Sequence, residues 1–146
     1  MRADQEFKQR MEGFKKEFPD PRVLSIHEPF ASLLIFNLKR FETRPTFTKH
    51  DGLYLIQATK NESYVQKMTD TQTELLSTVG VESFEHGYII GAVQFDLPCF
   101  RIMQCEYFEN EYTVVVAKGN RRVGYDITGH EYESGNFKTG NWLWEP

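Results

Sequence analysis

Lys39, Glu42 and Arg44 fall within six residues of one another and combine one carboxylate with two cationic donors. Such a set can hold a planar polar ligand: the carboxylate accepts from an exocyclic amine, while the ammonium and guanidinium donate to carbonyl or phosphate oxygens. Lys39 and Glu42 could also act as a catalytic pair that activates water, with the glutamate as general base, provided burial moved its acidity toward neutrality. The ordinary alternative is a solvated edge with a weak surface ion pair, worth at most about 1 kcal/mol. From Asn37 to His50, Lys39, Arg40, Arg44 and Lys49 stand against Glu42, a local positive excess in a chain of net charge −4. An anion or a polar planar molecule is drawn to such a place.

The elements around this triad follow from pattern. Arg22 to Ile26 is a short β-rich run, and Ser25-x-x-Glu28 followed by Pro29 reads as a helix start with Ser25 as cap, predicting a buried helix over 29–37. Residues 38–44 read as a strand with one face lining a polar site. In a strand Glu42 and Arg44 share a face and Lys39 points opposite unless a bulge intervenes. Leu53 to Thr59 is a buried strand, and 61–79 one helix, either continuous or broken near Thr69-Asp70. Tyr88 to Phe95 is the most strand-like run, with Gly91 marking a bulge or a close backbone approach and Pro98 ending it. Tyr112–Ala117 and Arg122–Ile127 flank Lys118-Gly119-Asn120 as a hairpin, and Trp142-Leu143-Trp144 makes a last strand. The expected fold is α+β: a curved antiparallel or mixed sheet, specifically a small β-barrel of five to seven strands with two to three flanking helices.

Phe7, Met11, Phe14 and Phe18 recur at helical spacing over residues 4–18, and Pro19-Asp20-Pro21 stops the run. Residues 1–20 thus read as an amphipathic helical extension that packs on the domain or on a protein partner, and 21–146 as the domain itself. A length of 146 residues suits one core. The net charge excludes a protein that wraps long duplexes by uniform phosphate neutralisation, so nucleic-acid contact must be local. No apolar stretch approaches the roughly 20 residues of a membrane span, and Met1-Arg2-Ala3-Asp4 does not open a secretion signal. Cys99 and Cys105 have neither zinc nor dithiol spacing, and the reading is of reduced thiols in a cytoplasmic protein. Asn61-Glu62-Ser63 has the form of a glycosylation acceptor, without consequence in such a protein. His27, His50, His86 and His130 are scattered, so no metal is expected; neither phosphate-cradling loop nor dinucleotide fingerprint is present, so no cofactor is implied.

Several separated segments resemble one family. Leu24-Ser25-Ile26-His27-Glu28-Pro29-Phe30-Ala31-Ser32-Leu33 is similar to the L-S-[IL]-x-[QE]-P-[WYF]-A-x-L opening of ASCH domains (activating signal cointegrator homology), relatives of the PUA fold. Lys39 to Arg44 resembles their K-x-x-E-x-R motif, Ile56-Gln57-Ala58-Thr59-Lys60 their I-H-A-x-K strand, and Gly87 to Gly91 their G-x-I-I-G strand. Gly135 to Trp144 is similar to the closing G-D-[FY]-x-P-G-R-[WY]-A-W. The matches run in order from residue 23 to 145.

The resemblance implies a PUA-like barrel with a polar cleft beside the K-x-x-E-x-R strand that receives RNA or a nucleobase. It makes Ser25, His27, Lys39, Glu42, Arg44, Lys60, Asn136, Thr139 and Trp142 candidate ligand residues. Phe30 or Trp142 could stack a base or belong to the core, His27 could line the cleft or only precede the helix, and Lys60 could touch phosphate or be solvated. Some relatives are amidohydrolases on acylated cytidine, with a lysine and a threonine three residues later. Here Lys39 matches the lysine but Glu42 takes the threonine's place, which speaks against that acyl-transfer chemistry. Other relatives are described as ribonucleases. The expected function is binding of RNA or a nucleoside-like small molecule. The alternatives are a small hydrolase of a modified nucleoside or of RNA, and a protein-interaction adaptor working through the first helix.

Overall fold

The computed structural model describes residues 22–50 and 52–146, with isolated positions at 5, 8–10 and 12. The helix expected over 4–18, and any partner it would recruit, lie outside the described residues.

Seven strands form one mixed sheet among the described residues. Strand β1 (Arg22–Ile26) pairs in parallel with β3 (Gly52–Ala58), and every other pairing is antiparallel. The path continues through the long β4 (Ile89–Phe108) to β5 (Glu111–Lys118) and β6 (Arg121–Ile127). The short β2 (Glu42–Arg44) joins through β7 (Trp142–Glu145), which also pairs with β4. The sheet is strongly curved, and its ladder does not close into a complete barrel. Among the described residues from 22 onward, four helices flank it: α1 (Phe30–Ile35), α2 (Ser63–Gln66), α3 (Asp70–Thr78) and α4 (Gly129–Glu133).

Strand β4 organises the whole. Pro98, expected to end a strand, lies inside β4 instead. It has no N–H to give a ladder, so pairing lapses between Asp96 and Phe100, and there the strand changes neighbours from β3 through β7 to β5. The bend yields two cores. Leu24, Ile26, Ala31, Leu34, Tyr54, Ile56 and Phe95 pack under α1 with Trp144; Ile102, Val114, Val116 and Ile127 pack with Phe41, Phe137 and Leu143. Alternation along β7 sends Leu143 into one core and Trp144 into the other, so this strand is the seam. Tyr54, Phe95 and Trp144 meet edge-on at 5.4–5.7 Å, the preferred aromatic geometry.

Gly91 marks a close approach: a Cβ there would lie 2.9 Å from Ile35 Cδ1, so the missing side chain lets α1 sit down on β4. The β4–β5 turn puts Glu109 and Asn110 at positive φ, matching the right-handed twist of a tight hairpin. The expected helix over 61–79 is two helices, split at Lys67–Thr69 by a capping box in which Thr69 and Gln72 exchange side-chain-to-backbone bonds. Asn61 Oδ1 accepts from Ser63 N and Oγ at 2.8 and 2.6 Å, so this glycosylation-like triplet is a helix start. The capping box expected at Ser25–Glu28 does not form. Ser25 sits in β1 opposite Gln57 and donates to its Oε1, while Glu28 accepts forward from Ser32 N and Oγ.

Candidate functional site

Only Glu42–Arg44 of the expected strand 38–44 is extended; residues 38–40 bend out of α1, where Leu38 N and Lys39 N both donate to Leu33 O. That bend removes the strand alternation that would have turned Lys39 away from Glu42. Lys39 Nζ lies 3.6 Å from Glu42 Oε1 and donates to Ser134 O at 3.1 Å. Lys39 and Glu42 are 3% and 5% exposed, so this is no solvated surface pair. Burial pushes the Lys39 ammonium below the usual lysine range, opposed by the Glu42 carboxylate, while nearby Arg44 lowers it further. Arg44 Nη1 lies 3.6 Å from Glu42 Oε2 and donates to Ser25 O at 3.3 Å. Glu42 Oε1 also accepts from Thr43 N at 2.9 Å. Glu42 Oε2 has Arg44 as its neighbour and no closer donor among the described residues.

The floor is fixed from two sides. Ser134, just past α4, offers its carbonyl to Lys39 and its hydroxyl to Gln72 Nε2 at 2.9 Å. Gln72 belongs to the α3 capping box, and Glu131 closes the equivalent box with Thr128 at α4. Glu131 also accepts from Arg40 Nε at 2.8 Å, tying the bend at 38–40 to α4. Burial by itself would raise the Glu131 pKa, but the bonds from Arg40 and Thr128 hold it below the usual carboxylate range.

These groups surround a cavity of about 600 Å³ whose lining includes Ser25, His27, Lys39, Glu42, Arg44 and Asn136. Six of the nine candidate residues therefore come together from β1, the 38–44 segment and the 134–136 turn. The other three do not. Lys60 lays its stem against Gly87, Thr139 donates to Met103 O at 3.0 Å over a separate hollow, and Trp142 packs on Phe47 and the Trp144 core. His27 lines the cavity; its Nδ1 lies 2.6 Å from Thr59 Oγ1, and its ring stacks on Tyr64 at 5.0 Å.

No motif in the sequence marks Tyr64. It stands on α2, outside every motif, is 42% exposed, and meets Phe30 edge-on at 5.3 Å, so it forms an aromatic wall. Gln72, Glu131 and Ser134 were likewise unmarked. Thr69-x-x-Gln72 and Thr128-x-x-Glu131 were the available signals for two of them. Among the described residues no three His, Cys, Asp or Glu side chains are grouped as a metal site would need, and no helix is long and apolar enough to cross a membrane.

An α+β domain whose bent sheet carries a buried cation–carboxylate pair at the base of a polar cavity is the class that fold and site define. Over 94 residues, 63% of its length, the chain is 34% identical to activating signal cointegrator 1 of Homo sapiens, and the Mus musculus protein matches to the same extent. The resemblance to ASCH domains is thus borne out by homologues of the name from which that family takes its own. The match occupies 16% of each relative, so the chain spans about a sixth of their length. No family model matches the chain.

Proposed function

We propose that this domain binds RNA by drawing one nucleobase, or a short single-stranded segment, into the cavity over Lys39, Glu42 and Arg44. The observation that carries the reading is the pairing of Glu42 Oε2, an acceptor, with the remaining donors of Arg44 3.6 Å away. An acceptor beside a donor complements a base edge on which an amine or ring N–H neighbours a carbonyl or ring nitrogen. The His27–Tyr64 stack supplies a flat wall, and a cavity of about 600 Å³ falls within the range of ligand sites. Lys39 acts from beneath by holding the carboxylate in place. Its amine is held by Ser134 O and Glu42, so it orients the carboxylate instead of attacking a ligand.

The test is a thermal-shift and titration series over the four ribonucleosides, modified nucleosides and short oligoribonucleotides. A ligand at about 100 times its dissociation constant adds about 2.7 kcal/mol of stability. Arg44→Ala should abolish the shift while leaving the melting temperature of the free protein nearly unchanged, since Arg44 is partly solvated and, among the described residues, holds just the Ser25 carbonyl and Glu42. If the variant binds every probe as the parent does, the cavity is not the base site. Turnover of an acylated cytidine by the parent, lost in Glu42→Gln, would replace the binding reading with hydrolysis.

A further inference from the structure

The strand registers align a row of side chains across five strands, of which the base cavity uses only the first, Arg44. Arg44 on β2 pairs with Trp142 on β7, Trp142 with Arg101 on β4, Arg101 with Ala117 on β5, and Ala117 with Arg122 on β6. Directly opposed residues share a face of a sheet, so three guanidiniums and one indole lie in line. At about 4.8 Å per strand the row is about 19 Å long. Arg101 and Arg122 are exposed, and neither has a carboxylate partner among the described residues. Phe47 rests on Trp142 at 4.8 Å and leaves 51% of itself to solvent, giving the row a flat apolar step beside Arg44.

The rest of that face is sorted by charge. The next row, Gln104, Val115 and Gly124, is neutral, and the one beyond, Glu106, Thr113 and Asp126, is acidic. An anionic chain is therefore attracted to one row and repelled from the hairpin end, which fixes its direction across the strands.

We propose that this row is the track for the backbone of a single-stranded RNA leaving the cavity, with Arg101 and Arg122 on phosphates and Phe47 under a flanking base. The proposal rests on the base-binding reading, and Arg44 joins the two, being both a cavity wall and the first member of the row. An acidic polypeptide would meet the same guanidiniums but would have no use for a solvent-facing ring between them or for a planar-ligand cavity at the end. The length matches the shortest single-strand sites, about four nucleotides.

The experiment compares the parent with the double variant Arg101→Ala/Arg122→Ala, using the four ribonucleosides and a mixed-sequence oligoribonucleotide of about eight nucleotides as probes. The octamer should bind the parent more tightly than any nucleoside, and the double variant should lose that surplus while binding nucleosides as before. Each phosphate contact to a single strand adds about 0.7 to the slope of log affinity against log salt, so the slope should fall by about 1.4. Between 50 and 200 mM salt the parent should then lose about sevenfold more octamer affinity than the variant. An unchanged slope, an octamer no tighter than a nucleoside, or displacement of the octamer by polyglutamate as readily as by RNA overturns the track and leaves the cavity standing. An octamer that binds with the expected slope change when no nucleoside binds supports the track and removes the cavity reading. Failure of both probes removes both.

Discussion

Replacing Lys39 with methionine should destabilise the fold, because the structure makes it a buried lysine and not a member of a solvated edge. Its ammonium sits 3.1 Å from Ser134 O and 3.6 Å from Glu42, both in buried residues. Methionine fills most of the stem's volume, so little of the loss comes from a cavity. What remains is a buried carboxylate stripped of one cation, for which breaking a buried pair costs about 3–5 kcal/mol. Glu42 keeps the Thr43 N–H and Arg44, so the expectation lies at the lower end, about 3 kcal/mol. The double variant Lys39→Met/Glu42→Leu should recover most of that, because the one charge then left without its partner, Arg44, is partly solvated. Urea unfolding followed by tryptophan emission measures both, with the slope checked for constancy.

The pH dependence carries an independent sign. Burial lowers the native pKa of Lys39 below the unfolded value near 10.5, so between the two the unfolded chain binds the extra proton. Stability from this group is therefore fully present above the unfolded pKa and is lost as pH falls through the native one. The parent should gain stability over that alkaline window, and Lys39→Met should not. A single variant within about 0.5 kcal/mol of the parent, with the same alkaline profile, would refute the placement of this ammonium in the interior.

Gly91→Ala should cost about 1–3 kcal/mol by pushing Ile35 off β4, and Ile35→Val in the same chain should return part of it. Ser32→Ala removes the hydroxyl that donates to the buried Glu28 carboxylate at 2.6 Å, with an expected loss of about 1.5–3 kcal/mol by denaturant titration. The Glu131 carboxyl, lowered in the folded state by its hydrogen bonds, stabilises fully above its unfolded pKa near 4.5 and loses that contribution as pH falls through the native value. Arg40→Ala should therefore flatten the acid limb of the stability profile; an identical limb in both proteins would show that the pair is not formed in solution.

Much of the fold is legible in the sequence because it depends on local pattern. The runs at 22–26 and 53–59, the start of the run at 88–95, the Lys118-Gly119-Asn120 turn and the closing Trp-Leu-Trp strand all appear within a residue or two of their expected bounds, whereas the strand begun at Ile89 runs on to Phe108. The signals that misled were those whose outcome depends on remote partners. The S-x-x-E signature is false at Ser25, where pairing to Gln57 commits the residue to a strand, yet the same signature holds at Thr69 and Thr128. Pro98 reads as a terminator because nothing local reveals that β4 has a second and a third neighbour waiting.

The candidate site divides in the same way. The sequence by itself determined which chemistry the 39–44 segment could perform, since residue type sets charge and hydrogen-bonding capacity. Only the tertiary structure decided that the three groups converge, because the bend at 38–40 is held by Arg40–Glu131 and Lys39–Ser134, contacts that span 91 and 95 residues. It also decided that Tyr64 joins the cavity wall and that Trp142 does not, and it alone aligned Arg44 with Arg101 and Arg122. Strand register is a pairing of distant segments, and no spacing within any one of them encodes it.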